Sequence, residues 1–224
     1  MKVGVLLSGC GVLDGSEIYE SVLTILAIER AGAEVAAIAP DVPQHDIINH
    51  YRGGELRTGD GTAERSVLAE SARIVRGRIT SLAEVSAHDI DALIIPGGYG
   101  VVKNLCTYAH NDDHVSINEE AKRLLTEMAS LRKPIGALCI APVLVALALG
   151  DKAPSLTVGN DAKVTMDLQR FGAQTAETTV DQIHVDAKHN IVSTPAFMLA
   201  ETPLEAETGI NKLVAKVIEL AKAI

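Results

Sequence analysis

The chain has 224 residues and a mass of 23.6 kDa, enough for one full domain or two very small ones, and it is read here as one. Hydrophobic residues at 47% and charged residues at 22% exclude disorder, collagen and a whole-chain coiled coil. Aromatic content of 3% with no Trp and a net charge of −9 remove base stacking and phosphate-backbone attraction as driving forces, so nucleic acid is not an expected partner.

In chain order, residues 2–7 form a short apolar run of the kind a buried parallel strand needs. A helix follows, with Ser16 as its cap, Glu17 and Glu20 at the positive end of its dipole, and Ile18, Val22, Ile25, Leu26 and Ile28 on a 3.6-residue period until Gly32. Residues 34–39 are the next strand, closed by Pro40, so the chain opens as a β-α-β unit. Residues 43–61 read as a long loop with a short strand around Ile47-Ile48, residues 63–74 as a helix and residues 90–95 as a buried strand. The glycine-rich turn Pro96-Gly97-Gly98-Tyr99-Gly100 comes directly after that strand. Residues 118–131 are a polar-faced helix, 133–138 a strand, and 141–149 a short apolar helix with Pro142 in its first turn. Beyond Gly150, residues 156–158 read as a strand, 161–171 as a helix, and 184–186 with 191–194 as a hairpin. The last helix is capped by Thr202, with Pro203 first, Glu205 completing a capping box and Gly209 a weak point. These elements predict one α/β domain with helices on both faces of a mostly parallel sheet, and a ligand site at the carboxyl ends of the strands.

The longest uncharged run, residues 134–150, is shorter than the ~20 apolar residues of a membrane span. The N-terminal apolar stretch is too short for a secretory signal. No membrane association and a cytoplasmic location are therefore expected. Cys10, Cys106 and Cys139 are odd in number and widely spaced, which fits reduced thiols rather than a disulfide framework or zinc ribbon. His110 and His114 have a helical metal-ligand spacing, but the intervening polar residues read as a solvated loop, and no metal is assigned. Residues 8–15 superficially suggest a dinucleotide loop. Asp14 stands in place of its third glycine and no acidic ribose partner ends the second strand, so no nicotinamide or flavin cofactor is expected. Lys103, Arg52, Arg57 and Arg65 are too scattered to make a diphosphate site.

Cys139 is the most informative residue. It sits between an apolar strand and a helix start, where a side chain projects from the top of the sheet and a helix N-terminus favours the thiolate. A reactive thiol and an inert buried cysteine are both compatible with this spacing. Gly97 and Gly98 present backbone amides suited to an oxyanion, or simply end a strand. Glu17 faces the same rim and either exchanges a proton with a substrate or stabilises its helix. Any of His45, His50, His184 and His189 could assist Cys139; none is singled out by position.

Several motifs together resemble one family: Leu7-Ser8-Gly9-Cys10-Gly11, Asp14-Gly15-Ser16-Glu17-Ile18, Ile48-Asn49-His50, Ile95 to Gly100, Lys103-Asn104-Leu105, Cys139-Ile140-Ala141-Pro142 and Thr194-Pro195-Ala196-Phe197-Met198. In order and spacing they are similar to the enhancing-lycopene-biosynthesis, or sigma cross-reacting, proteins of the PfpI-like and Parkinson-protein superfamily. The resemblance implies a flavodoxin-like three-layer sandwich related to class I glutamine amidotransferases. It implies Cys139 as nucleophile, Glu17 as the carboxylate hydrogen-bonded to that thiol, and the amides of Gly98 and Ile140 as the oxyanion pocket. It further implies a homodimer and a glutathione-independent glyoxalase of the hydro-lyase type, acting on small reactive aldehydes or, as a deglycase, on glycated groups, with no cofactor. Ile140 stands where protease-like relatives have His, and Pro195-Ala196-Phe197 replaces the amidotransferase His-x-Glu pair, which argues against peptidase and glutaminase chemistry. The alternatives are a redox-sensing or regulatory protein linked to isoprenoid metabolism and a partner-dependent amidohydrolase.

Overall fold

The structure is a computed structural model and describes residues 1–55, 65–110 and 114–224. Its elements in chain order are β1 (Lys2–Leu6), α1 (Ile18–Arg30), β2 (Glu34–Ala39), β3 (Ile48–Asn49), β4 (Gly54–Glu55), α2 (Val67–Ile74), β5 (Thr80–Ser81), β6 (Ala92–Ile95) and α3 (Tyr99–Asn104). The second half adds α4 (Glu119–Ser130), β7 (Ile135–Leu138), α5 (Pro142–Leu149), β8 (Ser155–Leu156), α6 (Ala162–Arg170), β9 (Gln174–Thr175), β10 (His184–Asp186), β11 (Ile191–Thr194) and α7 (Pro203–Lys222).

Seven strands form one sheet in the order β10-β11-β7-β6-β1-β2-β5. All its pairings are parallel except that of β10 with β11. Strands buried on both faces must be apolar throughout, and β6 shows how the two faces are shared: Leu93 and Ile95 enter one core, Ala92 and Ile94 the other, because successive side chains alternate. One core is covered by α3 to α6 and the other by α1, α2 and α7. The result is the expected three-layer α/β sandwich. β1 lies between β2 and β6, so the chain reverses its direction of winding there, and the crevice at the carboxyl ends of β1 and β6 is where such folds bind ligands.

Several local expectations change. Ser16 does not cap α1, because its Oγ accepts the Ser8 N–H at 2.8 Å inside the turn leaving β1. Glu17 is the cap, its Oε2 accepting the Glu20 N–H at 2.6 Å. The apolar period of α1 also faces differently: Ile18, Val22 and Leu26 are 43%, 47% and 36% exposed, while Glu20, Ser21, Thr24, Ala27 and Ile28 are buried. Gly209 is no weak point. A Cβ there would approach Val180 O to 2.6 Å and Thr194 Oγ1 to 2.7 Å, so the bare glycine lets α7 seat on β11. Thr202 caps α7, while Glu205 reaches the Glu201 amide, one residue before the reciprocal bond of a capping box. Residues 155–156 pair with β9 in a separate two-stranded sheet. Strand residues 48–49 pair with residues 54–55 as a hairpin. Helix α2 starts at Val67, with Ser66 as its cap. The remainder of the loop to residue 61, Arg57, and the expected helix start at residues 63–64 lie outside the described residues.

Candidate active site

The site is assembled where β7, β6 and the loop after β1 end. β7 delivers Leu138 into the core, and Cys139 then turns the chain sharply with a left-handed φ of 57° before α5 begins at Pro142. A non-glycine residue in that region is strained, and such strain persists where surrounding structure enforces it. Here the Cys139 N–H donates to Thr194 O at 3.0 Å, tying the corner to β11. At the end of β6, Gly98 has φ 96°, and a Cβ there would collide with Gly15 O and Glu17 N. This close approach lets Glu17 N donate to Gly97 O at 2.9 Å and Gly100 N to Gly15 O at 2.9 Å. The start of α1 is thereby locked beside the thiol.

The carboxyl group beside the Cys139 thiol belongs to Glu20, since a Cβ on Gly97 would meet Glu20 Oε2 at 2.8 Å and Cys139 Sγ at 2.9 Å, which corrects the assignment of that role to Glu17. Glu20 is completely buried. Its Oε2 accepts the Gly97 N–H at 2.6 Å and its Oε1 the Phe197 N–H at 3.1 Å. Phe197 reaches it because Ala196 adopts a φ of 44°. Gly97 therefore cannot lend its amide to an oxyanion, a second correction. The amides of Gly98 and Ile140 do point at the Cys139 sulfur. Glu17 sits one turn before Glu20 and lines the cleft above the thiol.

Burial and the neighbouring Glu17 charge push Glu20 up to about 7. Burial and the Glu20 charge push the Cys139 thiol well above its ordinary value, outweighing the pull of the two amides. Both shifts oppose charge, so where Glu20 is ionised the thiol keeps its proton, and thiolate requires that proton to pass to Glu20. Burial also raises Glu17 against the opposing pull of the Glu20, Tyr19 and Ile18 amides. Cys106 is pushed up to about 11 by burial, burial raises Cys10 as well, and neither lines the cleft that Cys139 lines.

Above Cys139 opens a cleft of about 590 Å³ with Val12, Tyr99, Phe171, Phe197 and Met198 among its apolar lining and Lys163 and Arg170 on the α6 side. No described histidine lines it. His50 accepts the Leu13 N–H at 3.2 Å. His45 stacks on His110 with ring centroids 3.7 Å apart, and His110 Nε2 lies 2.9 Å from Lys103 O. His184 meets Ser155 Oγ and His189 meets Asp186, both at 2.7 Å. Residues 111–113, between His110 and His114, lie outside the described residues.

The other motif residues form a brace beneath the site. Asp14 Oδ2 accepts the Ile48 N–H at 2.6 Å. Asn104 donates to Ser8 O and Asp14 O and accepts from His45 N, and Lys103 joins Leu13 O to Asp46. Sequence reasoning noted Glu20 only as a charge suited to the helix dipole. The missed signal was spacing: Glu20, Thr24, Ala27 and Ile28 share one face, and an acidic side chain on the face a helix buries requires specific partners.

A model of the DJ-1/PfpI family matches residues 10–200, a span that includes Glu17, Glu20, Gly98 and Cys139. The chain is 42% identical over 228 residues to the ES1 protein homolog, mitochondrial, of Rattus norvegicus, covering 98% of this chain and 84% of that protein. It is 43% identical over 229 residues to the glutamine amidotransferase-like class 1 domain-containing protein 3, mitochondrial, of Homo sapiens, covering 98% and 83%. Among solved structures, the isoprenoid biosynthesis protein with amidotransferase-like domain from Ehrlichia chaffeensis superposes with a TM-score of 0.89 at 30% identity, covering 98% of this chain and 99% of that one.

Proposed function

This chain belongs to the DJ-1/PfpI family, and from that premise we propose that it is a glutathione-independent glyoxalase converting glyoxal to glycolate and methylglyoxal to lactate. The observation that carries the reading is the Cys139–Glu20 pair, a thiol at a strand-to-helix corner with a buried carboxyl beside it beneath an open cleft. With the proton on Glu20, the thiolate adds to an aldehyde carbon. The C–S bond forms as the carbonyl π pair moves to oxygen, and the amides of Gly98 and Ile140 stabilise the oxyanion. Protonation gives the hemithioacetal. Glu17 then removes the proton from the thiol-bearing carbon and returns it to the neighbouring carbon through an enediol. One carbon is oxidised to the thioester level while its neighbour is reduced to an alcohol, so the rearrangement balances without an external oxidant. Water then cleaves the thioester, releasing the hydroxy acid and the thiol.

Glu20 is buried with both oxygens engaged, which suits it to the thiol proton, whereas the place of Glu17 in the cleft lining suits it to the carbon proton. Amide hydrolysis, which the names of the human and Ehrlichia relatives bring to mind, accords less well with a cleft lined by no described histidine and with Ile140 after the nucleophile. Protein deglycation would begin with the same attack on the same carbonyl level. The proposal places the reaction in a reducing cytoplasm and in a homodimer, the latter supported by the outward apolar stripe Ile18, Val22 and Leu26 of α1. Any tie to isoprenoid flux, suggested by the name of the Ehrlichia relative, would run through clearance of reactive aldehydes.

The test is glycolate and lactate formation from glyoxal and methylglyoxal without glutathione, with Cys139→Ala run in parallel. Product formed by the native chain and lost in Cys139→Ala is the expected result. Equal rates from both proteins, or no product from either, would overturn the reading; in the second case oxidation of Cys139 to a sulfenic acid becomes the property to follow.

A further inference from the structure

At the end of the sheet opposite Cys139 lies a small pocket unrelated to the cleft. It is lined by Arg132, Lys152, Lys188 and His189 over a floor that includes Leu149 and Ile191. Its volume is about 50 Å³, and since one water needs roughly 10–15 Å³ by this measure, it holds a few waters or one tetrahedral oxyanion. Among the described residues no acidic side chain lines it, in a chain with 29 acidic and 20 basic residues. Among the described residues Arg132, Lys152 and Lys188 form no ion pair, so their charges are turned to the pocket and solvent. Behind the pocket, the buried carboxylate of Asp186 holds His189 Nδ1 at 2.7 Å and accepts the amides of Ser155, Lys188 and His189. The imidazole is thereby fixed with Nε2 as its remaining polar atom.

The backbone of Arg132 carries an independent observation. Helices α1, α4 and α6 end in the same hydrogen-bonded turn: residues 32, 132 and 172 each donate to the carbonyl three before, and the following residue donates to the carbonyl five before it. At the first and last of these ends the left-handed residue is Gly32 or Gly172, with φ 74° and 93°; after α4 it is Arg132, with φ 55°. Glycine is the ordinary occupant because a Cβ is disfavoured there. Arg132 and, after α2, Arg76 with φ 56° take its place in this chain.

We propose that this pocket binds a phosphate-type oxyanion, either free phosphate or the head of a phosphomonoester, through Arg132, Lys152, Lys188 and His189. Arg132 supplies a planar pair of donors matched to two phosphate oxygens, and the lysines supply charge. The pocket lies at the start of β7, about 13 Å from Cys139 at roughly 3.3 Å per strand residue. The inference is therefore independent of the aldehyde reading.

The experiment is calorimetric titration of the full chain in low-salt chloride buffer with inorganic phosphate and, separately, with glycerol 3-phosphate. Amide chemical shifts of residues 129–133, 152–155 and 188–191 are followed alongside. Saturable binding centred on those residues is expected, unaltered in Cys139→Ala and weakened about tenfold or more in Arg132→Gly and Lys188→Ala, as loss of a charged hydrogen bond implies. Arg132→Gly should melt no lower than the native chain, because it restores the preferred residue at the turn, so weakened binding cannot be attributed to misfolding. Equal binding of the two probes assigns the site to free phosphate, and tighter binding of the ester assigns it to a phosphorylated metabolite. No saturable binding of either probe, or native affinity in both Arg132→Gly and Lys188→Ala, would overturn the proposal.

Discussion

In the proposed mechanism Cys139 and Glu20 divide one proton, and this sets the pH behaviour of the site. Below about 7, where burial and the Glu17 charge place Glu20, both groups are protonated and the thiol is poorly nucleophilic. Above it, one proton remains for the pair and thiolate becomes accessible. Aldehyde turnover and the rate of Cys139 alkylation should therefore both rise as pH passes through about 7, and Glu20→Gln should lose this inflection, with turnover falling about 10²–10⁴-fold. Glu17→Gln should lower turnover by a comparable factor, because Glu17 handles the carbon proton, while retaining alkylation with its inflection moved below about 7, because the Glu17 charge no longer raises Glu20. Stopped-flow alkylation beside steady-state kinetics separates the two roles. Stability carries the same signature with a definite sign. The folded state holds a proton on Glu20 that the unfolded chain releases near 4.5, so its contribution to stability falls as pH rises from about 4.5 to about 7. The difference in unfolding free energy between native chain and Glu20→Gln, measured by urea denaturation, should shrink by up to about 3 kcal/mol over that window. Taking the difference also cancels His184, whose pKa burial lowers and whose effect on stability has the opposite sign.

At the level of elements, α1 and α7 show tertiary packing overriding sequence pattern. The apolar period of α1 fits a helix, yet the face turned inward is the one carrying Glu20, Ser21, Thr24 and Ala27, because α1 must pack closely against α7 and bring a carboxyl group to the thiol. Close packing also explains Gly209, read from sequence as a flaw. In a free helix Gly→Ala gains about 1 kcal/mol. At this position the added methyl meets the Val180 carbonyl and the Thr194 hydroxyl, itself bonded to Gln182 O at 2.8 Å. Gly209→Ala is accordingly expected to destabilise the chain by about 1–3 kcal/mol, visible as a lowered melting temperature. By contrast Cys139 was legible at its corner, since an apolar strand and a Pro-initiated helix leave only residues 139–141 to turn the chain between them.

For the whole molecule, the reversal of winding at β1 gathers three loops distant in sequence, residues 8–17, 96–100 and 139–141, at one end of the sheet. The outward stripe of α1 lies close to that end, and the proposed homodimer would cover it. Sedimentation equilibrium should give about twice the 23.6 kDa chain mass, and a charge placed at Val22, as Val22→Glu, should return it to the monomer value. A native chain that sediments as a monomer would remove the dimer from the proposal.

The amino-acid sequence by itself determined the α/β class, the position of nearly every element and the strand-to-helix corner at Cys139. These rest on hydrophobic periodicity, caps and turn residues, which act over a few neighbours and are written locally. Only the tertiary structure decided that Glu20 rather than Glu17 meets the thiol, that the Gly97 amide is already engaged, that the Lys103 and Asn104 motif braces a loop, and that Arg132, Lys152, Lys188 and His189 converge on one pocket. Each of these depends on which residues distant in the chain come within hydrogen-bonding range. That is set by strand order and by the rotation of a helix about its axis, and a one-residue difference in rotation, about 100°, exchanges the carboxylate facing a nucleophile for one facing solvent.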